Sequence, residues 1–239
     1  MEEPSTDAEK QLADVGSGND NIEILISYAL WIQWGGIAIE REDRARTARA
    51  DMIALARYRQ EYTPALAEEL MASMGSISAA AHALDALYGQ LVTPRIKAEI
   101  KAEGPWRKAS LDGHIRECLK RRFNTGWRDR AWVGEFKWLF DLRNAAAHAE
   151  EQQLPSVPHP SGVCHSGQVN RDYSADAAMR AVDLMLDVLN TCAAKPKASD
   201  VGARQWARSY SPAISTLTTK LRVSRTARPL PARYKDTEA

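Results

Sequence analysis

One short segment of the chain places three side chains suited to phosphoryl chemistry on a single predicted helix. Arg143, Asn144 and His148 lie within a turn and a half of one another, and three alanines separate the last two. An arginine is a permanent cation whose planar fork matches phosphoryl oxygens. An imidazole titrates near neutral pH and can act as a general base or a general acid. The segment is therefore a candidate site for cleaving a phosphodiester without a metal ion.

The requirements of RNA cleavage assign a role to each of these residues. Attack by the 2′-hydroxyl needs a base for that hydroxyl, an acid for the leaving 5′-oxygen and positive charge near the phosphoryl oxygens. His148 is the candidate proton-transfer group, and Arg143 is the candidate for holding the phosphate. Asn144 shares a helical ridge with His148 at i and i+4, so it can orient the imidazole or the phosphate. One His148 per chain supplies one proton-transfer group, so we expect a homodimer to supply the second.

The helix that carries these residues is expected to turn an apolar stripe toward a core. The members of the stripe recur at helical spacing: Trp132, Phe136, Leu139, Phe140 and Ala147. Arg143 falls on this stripe, and Asn144 and His148 lie to its other side. Because a guanidinium is costly to bury alone, a partner, a cleft or a ligand is implied. The alanines keep this surface low, so a second helix or a nucleotide could approach closely.

The pattern Arg143-Asn144-x3-His148 resembles the Arg-x4–6-His signature of HEPN domains. Phe140-Asp141-Leu142 precedes it, and the amphipathic stretch Ser174–Cys192, after a loop, is similar to the last bundle helix of that family. The resemblance covers residues 128–192, about a quarter of the chain. The chain departs from the family at Ala149, where many relatives place a glycine after the histidine.

This resemblance implies an all-α fold, a helical bundle of the HEPN type with additional helices. Such bundles often dimerise and bring two motifs together in a shared cleft. Many members are metal-independent endoribonucleases of toxin, antiviral defence or RNA-processing systems, and others keep the fold without activity. Carried over by position, Arg143, Asn144 and His148 are the catalytic residues, and no cofactor is required. The implied partners are an RNA substrate, a second copy of the chain and an antitoxin or other regulatory protein.

A structural interpretation of the same residues stays open. An arginine near a helix end can clamp carbonyl groups, and a histidine near a helix C-terminus interacts favourably with the helix dipole. On that interpretation the chain is a non-catalytic RNA- or protein-binding module of the same fold. Arg143 and His148 would then serve a contact within the chain or at a dimer interface.

A second group of residues, just before the motif helix, interleaves cations with aromatic rings. Its members are candidates for RNA contact: Lys120, Arg121, Arg122, Trp127, Arg128 and Arg130. Arginines of such surfaces bind phosphates, and flat rings stack on unstacked bases. The alternative is a solvated turn in which Trp127 and Trp132 fill the core. The arginines of residues 41–59 are interpreted as a solvated helix face paired with acidic neighbours.

The charge balance and the cysteines indicate a broad class. The chain has 239 residues, and its 32 basic and 31 acidic side chains leave a net charge of +1, which alone does not indicate a nucleic-acid binder. Three widely spaced cysteines without a CxxC pair suit a reducing cytoplasm. The acidic start argues against a secretory signal. The apolar stretch Ile24–Ile39 contains polar residues and is too short to span a membrane, so no membrane partner is expected.

The histidines and cysteines do not form a recognisable metal site. His114 and Cys118 lie at i and i+4 of one helix, and the remaining candidates lie in a long loop. These spacings match no common zinc framework, so no metal ligands are expected. His82 is expected on the solvated side of its helix. The absence of a phosphate-binding glycine loop and of a nucleophile elbow argues against P-loop and α/β-hydrolase chemistry.

Hydrophobic periodicity predicts helices along most of the chain and no strands. The predicted helices, with approximate bounds, are Asn21–Trp34, Ile37–Tyr62, Thr63 to just before Pro94, Leu111–Phe123, Arg128–Glu150, Ser174–Cys192 and Ser199–Tyr210. Gly35-Gly36 is expected to end or kink the first of them, and Ser211-Pro212 to interrupt the last. Residues 95–103 form a short charged segment. Residues 151–172, rich in proline and glycine, are expected to be a long loop that could cover the cleft.

These elements predict one helical bundle with an extension at each end. Residues 1–19 are acidic and are expected to be a disordered tail. Residues 20–195 are expected to form the bundle, which includes the motif region 128–192. Residues 196–239 are expected to be a helical extension with a basic tail, and their prolines indicate a loose end.

Overall fold

The computed structural model describes residues 18–102, 110–147 and 156–234, with side chains from Leu30 onward. Within these ranges the chain is mostly helical, and the all-α class is confirmed. The elements in chain order are α1 (Gly18–Arg57), α2 (Thr63–Leu91), α3 (Pro94–Ala102), α4 (Leu111–Arg122), α5 (Arg128–Ala147), β1 (Ser156–Pro158), β2 (His165–Gly167), α6 (Gln168–Asp172), α7 (Ala175–Ala194) and α8 (Val201–Ala227). Across these ranges no helix is long and apolar enough to cross a bilayer.

The helices α1 and α2 form an antiparallel hairpin, and α4, α5, α7 and α8 pack against it. Near one end the Trp31 indole Nε1 donates to Gln90 Oε1 at 2.8 Å, and near the other Arg49 Nη2 donates to Glu69 Oε1 at 2.6 Å. The helix α2 also contacts α4, α5 and α7. Because neighbours cover it on several sides, its buried positions include many alanines as well as Leu84. The helix α2 therefore contributes buried residues to both hydrophobic clusters of the fold.

The helix end that was one of the two predictions for Gly35-Gly36 does not occur, because α1 continues through both glycines as one helix of 40 residues. A Cβ on Gly35 would lie 3.1 Å from Leu217 Cδ1 and 3.7 Å from Met185 Cε. The missing side chain lets α7 and α8 pack closely against α1. This packing outweighs the helix propensity that glycine loses, about 1 kcal/mol relative to alanine.

The interruption predicted at Ser211-Pro212 is also wrong. The helix α8 passes through Pro212, which lacks the N–H needed for one helical hydrogen bond. Buried side chains on both sides of the proline hold the two halves against the bundle: Trp206, Ile214, Leu217 and Leu221. They belong to the same hydrophobic core as the residues of α1 and α2. The helix of the predicted extension, 196–239, is therefore part of the bundle.

The end of the chain is anchored within the described residues, contrary to the prediction of a loose basic tail. Arg225 Nε donates to the buried Glu42 carboxylate at 2.9 Å. Leu230 packs against a small cluster of buried alanines from three helices. Beyond it, the Tyr234 N–H donates to the Ser161 carbonyl at 2.7 Å. Most of this segment therefore lies against the bundle.

The predicted loop 151–172 contains a β-hairpin and a short helix. Strands β1 and β2 pair antiparallel, with Val157 opposite Ser166, and α6 follows directly. At three residues each, these strands are too short for an alternating pattern to reveal them. Gly162 in the hairpin turn has φ +78 and lies against the Tyr234 carbonyl, so a side chain there would be strained and would clash. Residues 148–155 lie outside the described residues.

The remaining helices follow the predictions closely. The bounds of α2, α4 and α7 agree with the predicted helices, and α5 begins at Arg128 as expected. The charged segment at residues 95–103 is largely helical as α3, and it buries Ile100 against the core. The predicted acidic tail, 1–19, is helical at its last two positions, and residues 1–17 lie outside the described residues.

Candidate functional site

The apolar stripe predicted on the motif helix packs into the core as expected. Buried positions of α5 are Trp132, Phe136, Leu139 and Phe140. Ala147, the last predicted member of the stripe, is exposed. The buried part of the stripe therefore ends at Phe140, and residues of the last turn of α5 line an opening.

Two contacts set the position of α5 in the bundle. The Trp132 indole Nε1 donates to Asp187 Oδ2 of α7 at 2.9 Å. Near the other end, the hydroxyl of the buried Tyr173 donates to the Leu142 carbonyl at 2.6 Å. Tyr173 lies just before α7, so both contacts tie the motif helix to the same neighbour. Arg143, the next residue after Leu142, is thereby held in a defined place.

Arg143 is half-buried and has no carboxylate within 4 Å among the described residues. Its guanidinium lies 5.9 Å from the Phe140 ring centroid, and its Nη1 is 3.4 Å from Asn144 Oδ1. Both contacts are weak for an arginine, because a guanidinium fork is best satisfied by a carboxylate or phosphate. The sequence analysis implied a partner, a cleft or a ligand for Arg143. Because these contacts leave its guanidinium largely unsatisfied, we infer that it lies in a cleft that is open to a ligand.

Such a cleft lies between α2 and α5, and we call it the motif groove. Its volume is about 480 Å³. The residues that line it are Met74, Gly75, Ser78, His82, Arg143, Asn144, Ala146 and Ala147. The last two are alanines that were predicted to keep the helix surface low. Arg143 and Asn144, which are consecutive on α5, thus both line the groove.

His148 lies outside the described residues. Ala147, the residue immediately before it, is the last residue of α5 and lines the motif groove. The role of His148 in proton transfer, and its meeting with a second copy in a dimer, therefore stay predictions.

The structure brings a second imidazole, His82, into the motif groove, whereas the sequence placed it on a solvated helix face. His82 is half-buried, and its ring stacks on Trp34 with centroids 4.9 Å apart and planes at 28°. Its Nδ1 lies 2.6 Å from the Ser78 carbonyl oxygen. Because a carbonyl only accepts, Nδ1 carries the hydrogen and Nε2 is the remaining nitrogen. The spacing of Gly75, Ser78 and His82 along one face is the signal that could have indicated a groove.

Arg122 is a structural residue, which corrects its prediction as an RNA contact. It is buried, its Nε and Nη2 each donate to the Asp200 carboxylate at 2.8 Å, and its Nη1 donates to the Leu91 carbonyl at 2.6 Å. The hydrogen bond from Arg122 lowers the pKa of Asp200. Asp200 also caps α8, since its carboxylate accepts from the Ala203 N–H at 2.8 Å. The fork of Arg122 is therefore occupied by protein groups.

The other predicted RNA contacts lie near the surface at the start of α5. Lys120 and Arg130 are exposed. Arg121 is partly covered and pairs with Glu117 at 2.9 Å and with Glu99 at 3.1 Å. A phosphate would have to compete with these two carboxylates for Arg121, so Lys120 and Arg130 are the more accessible cations.

Trp127 and Trp132 differ in their surroundings. Trp132 is in the core, as the alternative interpretation of this segment predicted, but Trp127 is 72% exposed. The Arg128 guanidinium lies 5.0 Å from the Trp127 ring and pairs with Asp187 at 3.1 Å. Trp127 and Arg128 thus form an exposed aromatic and cationic surface. From residue 128 to residue 143 the distance along α5 is about 22 Å, so this surface is separate from the motif groove.

The arginine-rich part of α1 is only partly the solvated face that was predicted, because Arg41, Arg44 and Arg57 are exposed but two other arginines are buried. Arg46 and Arg49 are 1% and 2% exposed. Arg46 Nε donates to Glu42 at 3.1 Å, and Arg49 Nη2 donates to Glu69 at 2.6 Å and to Asp176 at 3.0 Å. Residues of α7 and α8, which follow α5 in sequence, contact these two arginines. Their ion pairs compensate the cost of burying the two charges.

The cysteines offer no activated nucleophile. Burial raises the pKa of Cys118 to about 12, and it also raises the pKa of Cys192. Cys164 is partly exposed, and burial raises its pKa as well. A thiol with a raised pKa holds little thiolate at neutral pH. Within the described ranges, no three His, Cys, Asp or Glu side chains are grouped as metal ligands.

Fold and groove together define an all-α protein with a half-buried arginine in a surface cleft. Comparison of the chain with protein-family models, with curated proteins and with solved structures found no match.

Proposed function

We propose that the chain is a metal-independent endoribonuclease of the HEPN type that acts on RNA at the motif groove. The observation that supports this most is the state of Arg143. Its guanidinium is half-buried beside Asn144 in a groove of about 480 Å³, without a carboxylate within 4 Å in the described part of the chain. Most of the partly buried or buried arginines of this protein have such a partner, so an anionic ligand is the group that this one lacks.

In this proposal each motif residue has one role. Arg143 holds the phosphoryl oxygens of the scissile phosphodiester and stabilises the charge that they gain in the transition state. Asn144 orients the phosphate or the imidazole. His148 transfers one proton. A second copy of the chain in a homodimer supplies the other proton-transfer group. A cytoplasmic location and restraint by an antitoxin or other regulatory protein are part of the same proposal.

The test is an RNA-cleavage assay on the full chain, with and without a chelator. We expect cleavage of single-stranded RNA that survives chelation and yields a 2′,3′-cyclic phosphate. His148→Ala should lower the rate constant about 10²- to 10⁴-fold, since that is the usual contribution of a proton-transfer group. Arg57→Ala is a matched control for Arg143→Ala, because Arg57 is exposed at the far end of α1. Circular dichroism and solution mass establish that each variant keeps its fold and oligomeric state.

A second candidate function is a non-catalytic RNA-binding module of the same fold. The observation that favours it is the exposed stack of Arg128 on Trp127, a surface suited to an unstacked base and its phosphate. Binding of RNA by the wild type, lost in Trp127→Ala and unaffected by His148→Ala, together with no cleavage under any condition, would support this module over the nuclease.

A further inference from the structure

The wall of the motif groove opposite Arg143 carries polar groups that the proposed function does not yet use. Ser78 and His82 of α2 line it, together with Gly75. None of these residues belongs to the sequence motif. They come from a helix that is distant in sequence and antiparallel to α1, so only the packing of α2 against α5 brings them to Arg143.

The imidazole of His82 is held in one orientation and one tautomer. Trp34 stacks on one face of the ring at 4.9 Å, and the Nδ1–H donates to the Ser78 carbonyl at 2.6 Å. A neutral imidazole with hydrogen on Nδ1 has an acceptor at Nε2. This nitrogen is not bonded to another described residue. His82 therefore presents a hydrogen-bond acceptor, not a donor, to a neutral ligand in the groove.

A second cation lies at the rim of the same wall. The side chain of Arg41 lies over Gly75, because a Cβ built on that glycine would be 3.4 Å from Arg41 Cδ and 3.7 Å from Arg41 Nε. The described residues place no carboxylate within 4 Å of Arg41. The next arginine of α1, Arg44, pairs with Glu68. Arg41 thus lies beside a residue that lines the groove, and, like Arg143, it has no acidic partner among the described residues.

We propose that the motif groove binds one ribonucleotide unit within a single chain, with His82 as the residue that recognises the ribose. Arg143 and Arg41 bind the phosphate, and His82 Nε2 accepts a hydrogen bond from the adjacent 2′-hydroxyl. Cations hold the phosphate on any nucleic acid, whereas a 2′-hydroxyl distinguishes RNA from DNA. The cations therefore provide affinity, and His82 provides the preference for ribose.

This inference rests on the proposed function and extends it to the chemical step. The 2′-hydroxyl proton passes to His82 Nε2 while the 2′-oxygen forms a bond to phosphorus. The bond from phosphorus to the 5′-oxygen breaks, and that oxygen takes a proton from His148. The products are a 2′,3′-cyclic phosphate and a 5′-hydroxyl. In this inference His82 takes the part that the proposed function gives to the second copy, that of the other proton-transfer group.

The direct test measures binding of a ligand that cannot be cleaved. Adenosine 3′-monophosphate and its 2′-deoxy analogue are titrated into the full chain by calorimetry. One hydrogen bond contributes about 0.5–1.5 kcal/mol, so we expect the ribonucleotide to bind about 2- to 12-fold more tightly. His82→Phe keeps an aromatic ring on Trp34 but removes both nitrogens, and the ratio of the two affinities should fall to one. Arg143→Ala should weaken both ligands equally.

His165→Phe is the matched control, because His165 is exposed in the hairpin and is not part of the groove. It should leave both affinities unchanged. Equal affinities of the wild type for the two nucleotides, or an unchanged ratio in a folded His82→Phe variant, would overturn the proposal. A ratio that depends on His82 in a protein that cleaves no RNA would support ribose recognition and refute the nuclease. Cleavage at the wild-type rate by His82→Phe would overturn the role of His82 as base.

Discussion

His82 of α2 and Arg143 of α5 line the same groove, although they lie on different helices and only one of them belongs to a recognisable motif. The first is held by Trp34 and the Ser78 carbonyl, and the second has no acidic partner among the described residues. One wall therefore presents a fixed imidazole and the other an unsatisfied cation. This arrangement suits a phosphate next to a ribose, and the cleavage and nucleotide-binding tests described above address it directly.

Displacing Arg41 from the edge of the motif groove should weaken nucleotide binding while His82 and Arg143 remain. In Gly75→Leu the new side chain takes the place of the Arg41 side chain, because a Cβ on Gly75 would lie 3.4 Å from Arg41 Cδ. We expect at least a 10-fold loss of affinity for adenosine 3′-monophosphate, measured by calorimetry. Gly89→Leu is the control on the same helix, since a Cβ there meets nothing within 4 Å and Gly89 does not line the groove. Unchanged affinity in a folded Gly75→Leu variant would show that Arg41 does not bind the phosphate.

Gln90 is expected to contribute strongly to the stability of the fold, because its side chain makes three hydrogen bonds to aromatic residues. Its Oε1 accepts from the indole N–H of Trp31 at 2.8 Å and of Trp206 at 2.9 Å, and its Nε2 donates to the Tyr210 hydroxyl at 2.8 Å. Gln90→Leu has similar volume but leaves two buried indole N–H groups without acceptors. We expect a loss of about 2–4 kcal/mol in the free energy of unfolding, measured by urea denaturation.

The neighbouring position provides the control for that measurement. Gly89→Ala changes an exposed residue of the same helix and is expected to be neutral or slightly stabilising, by up to about 1 kcal/mol. If Gln90→Leu were as stable as the wild type, the three hydrogen bonds would contribute nothing net to the fold. A smaller loss in Trp31→Phe/Gln90→Leu than the sum of the single variants would confirm their coupling.

Stability should fall as the pH is lowered through the range in which His159 of the unfolded chain gains a proton. Burial lowers the pKa of His159 in the fold, and the nearby Glu69 carboxylate only partly offsets this. A folded-state pKa below the unfolded value means that the unfolded chain binds the proton first. The contribution of His159 is therefore complete above about pH 6.5 and is lost as the pH falls below it.

Urea denaturation between pH 8 and pH 5 tests this expectation. One proton corresponds to a slope of at most about 1.4 kcal/mol per pH unit. His159→Gln should show a weaker pH dependence than the wild type, whereas the exposed His165→Gln should show the same dependence. Parallel curves for His159→Gln and the wild type would assign the acid sensitivity in this range to other groups.

The sequence predicted those features that depend on local periodicity. The apolar spacing of α5 identified its buried face, including Phe136 and Phe140, and the position of Arg143 at the edge of that face. It also predicted α2, α4 and α7 close to their observed bounds. These predictions succeed because side-chain directions in a helix follow from residue spacing alone. The reactive role of the motif rests on a resemblance, and His148 lies outside the described residues.

Tertiary contacts decided the rest. Gly35 and Pro212 lie inside continuous helices because packing against other helices outweighs local preferences. Arg122 is occupied by Asp200, a residue remote in sequence, and His82 reaches the groove because α2 packs on α5. The spacing of residues within one helix does not show which other helix will pack against its buried face. By itself, therefore, the sequence determined the helices and the faces they bury, and only the tertiary structure decided which polar side chains share one site.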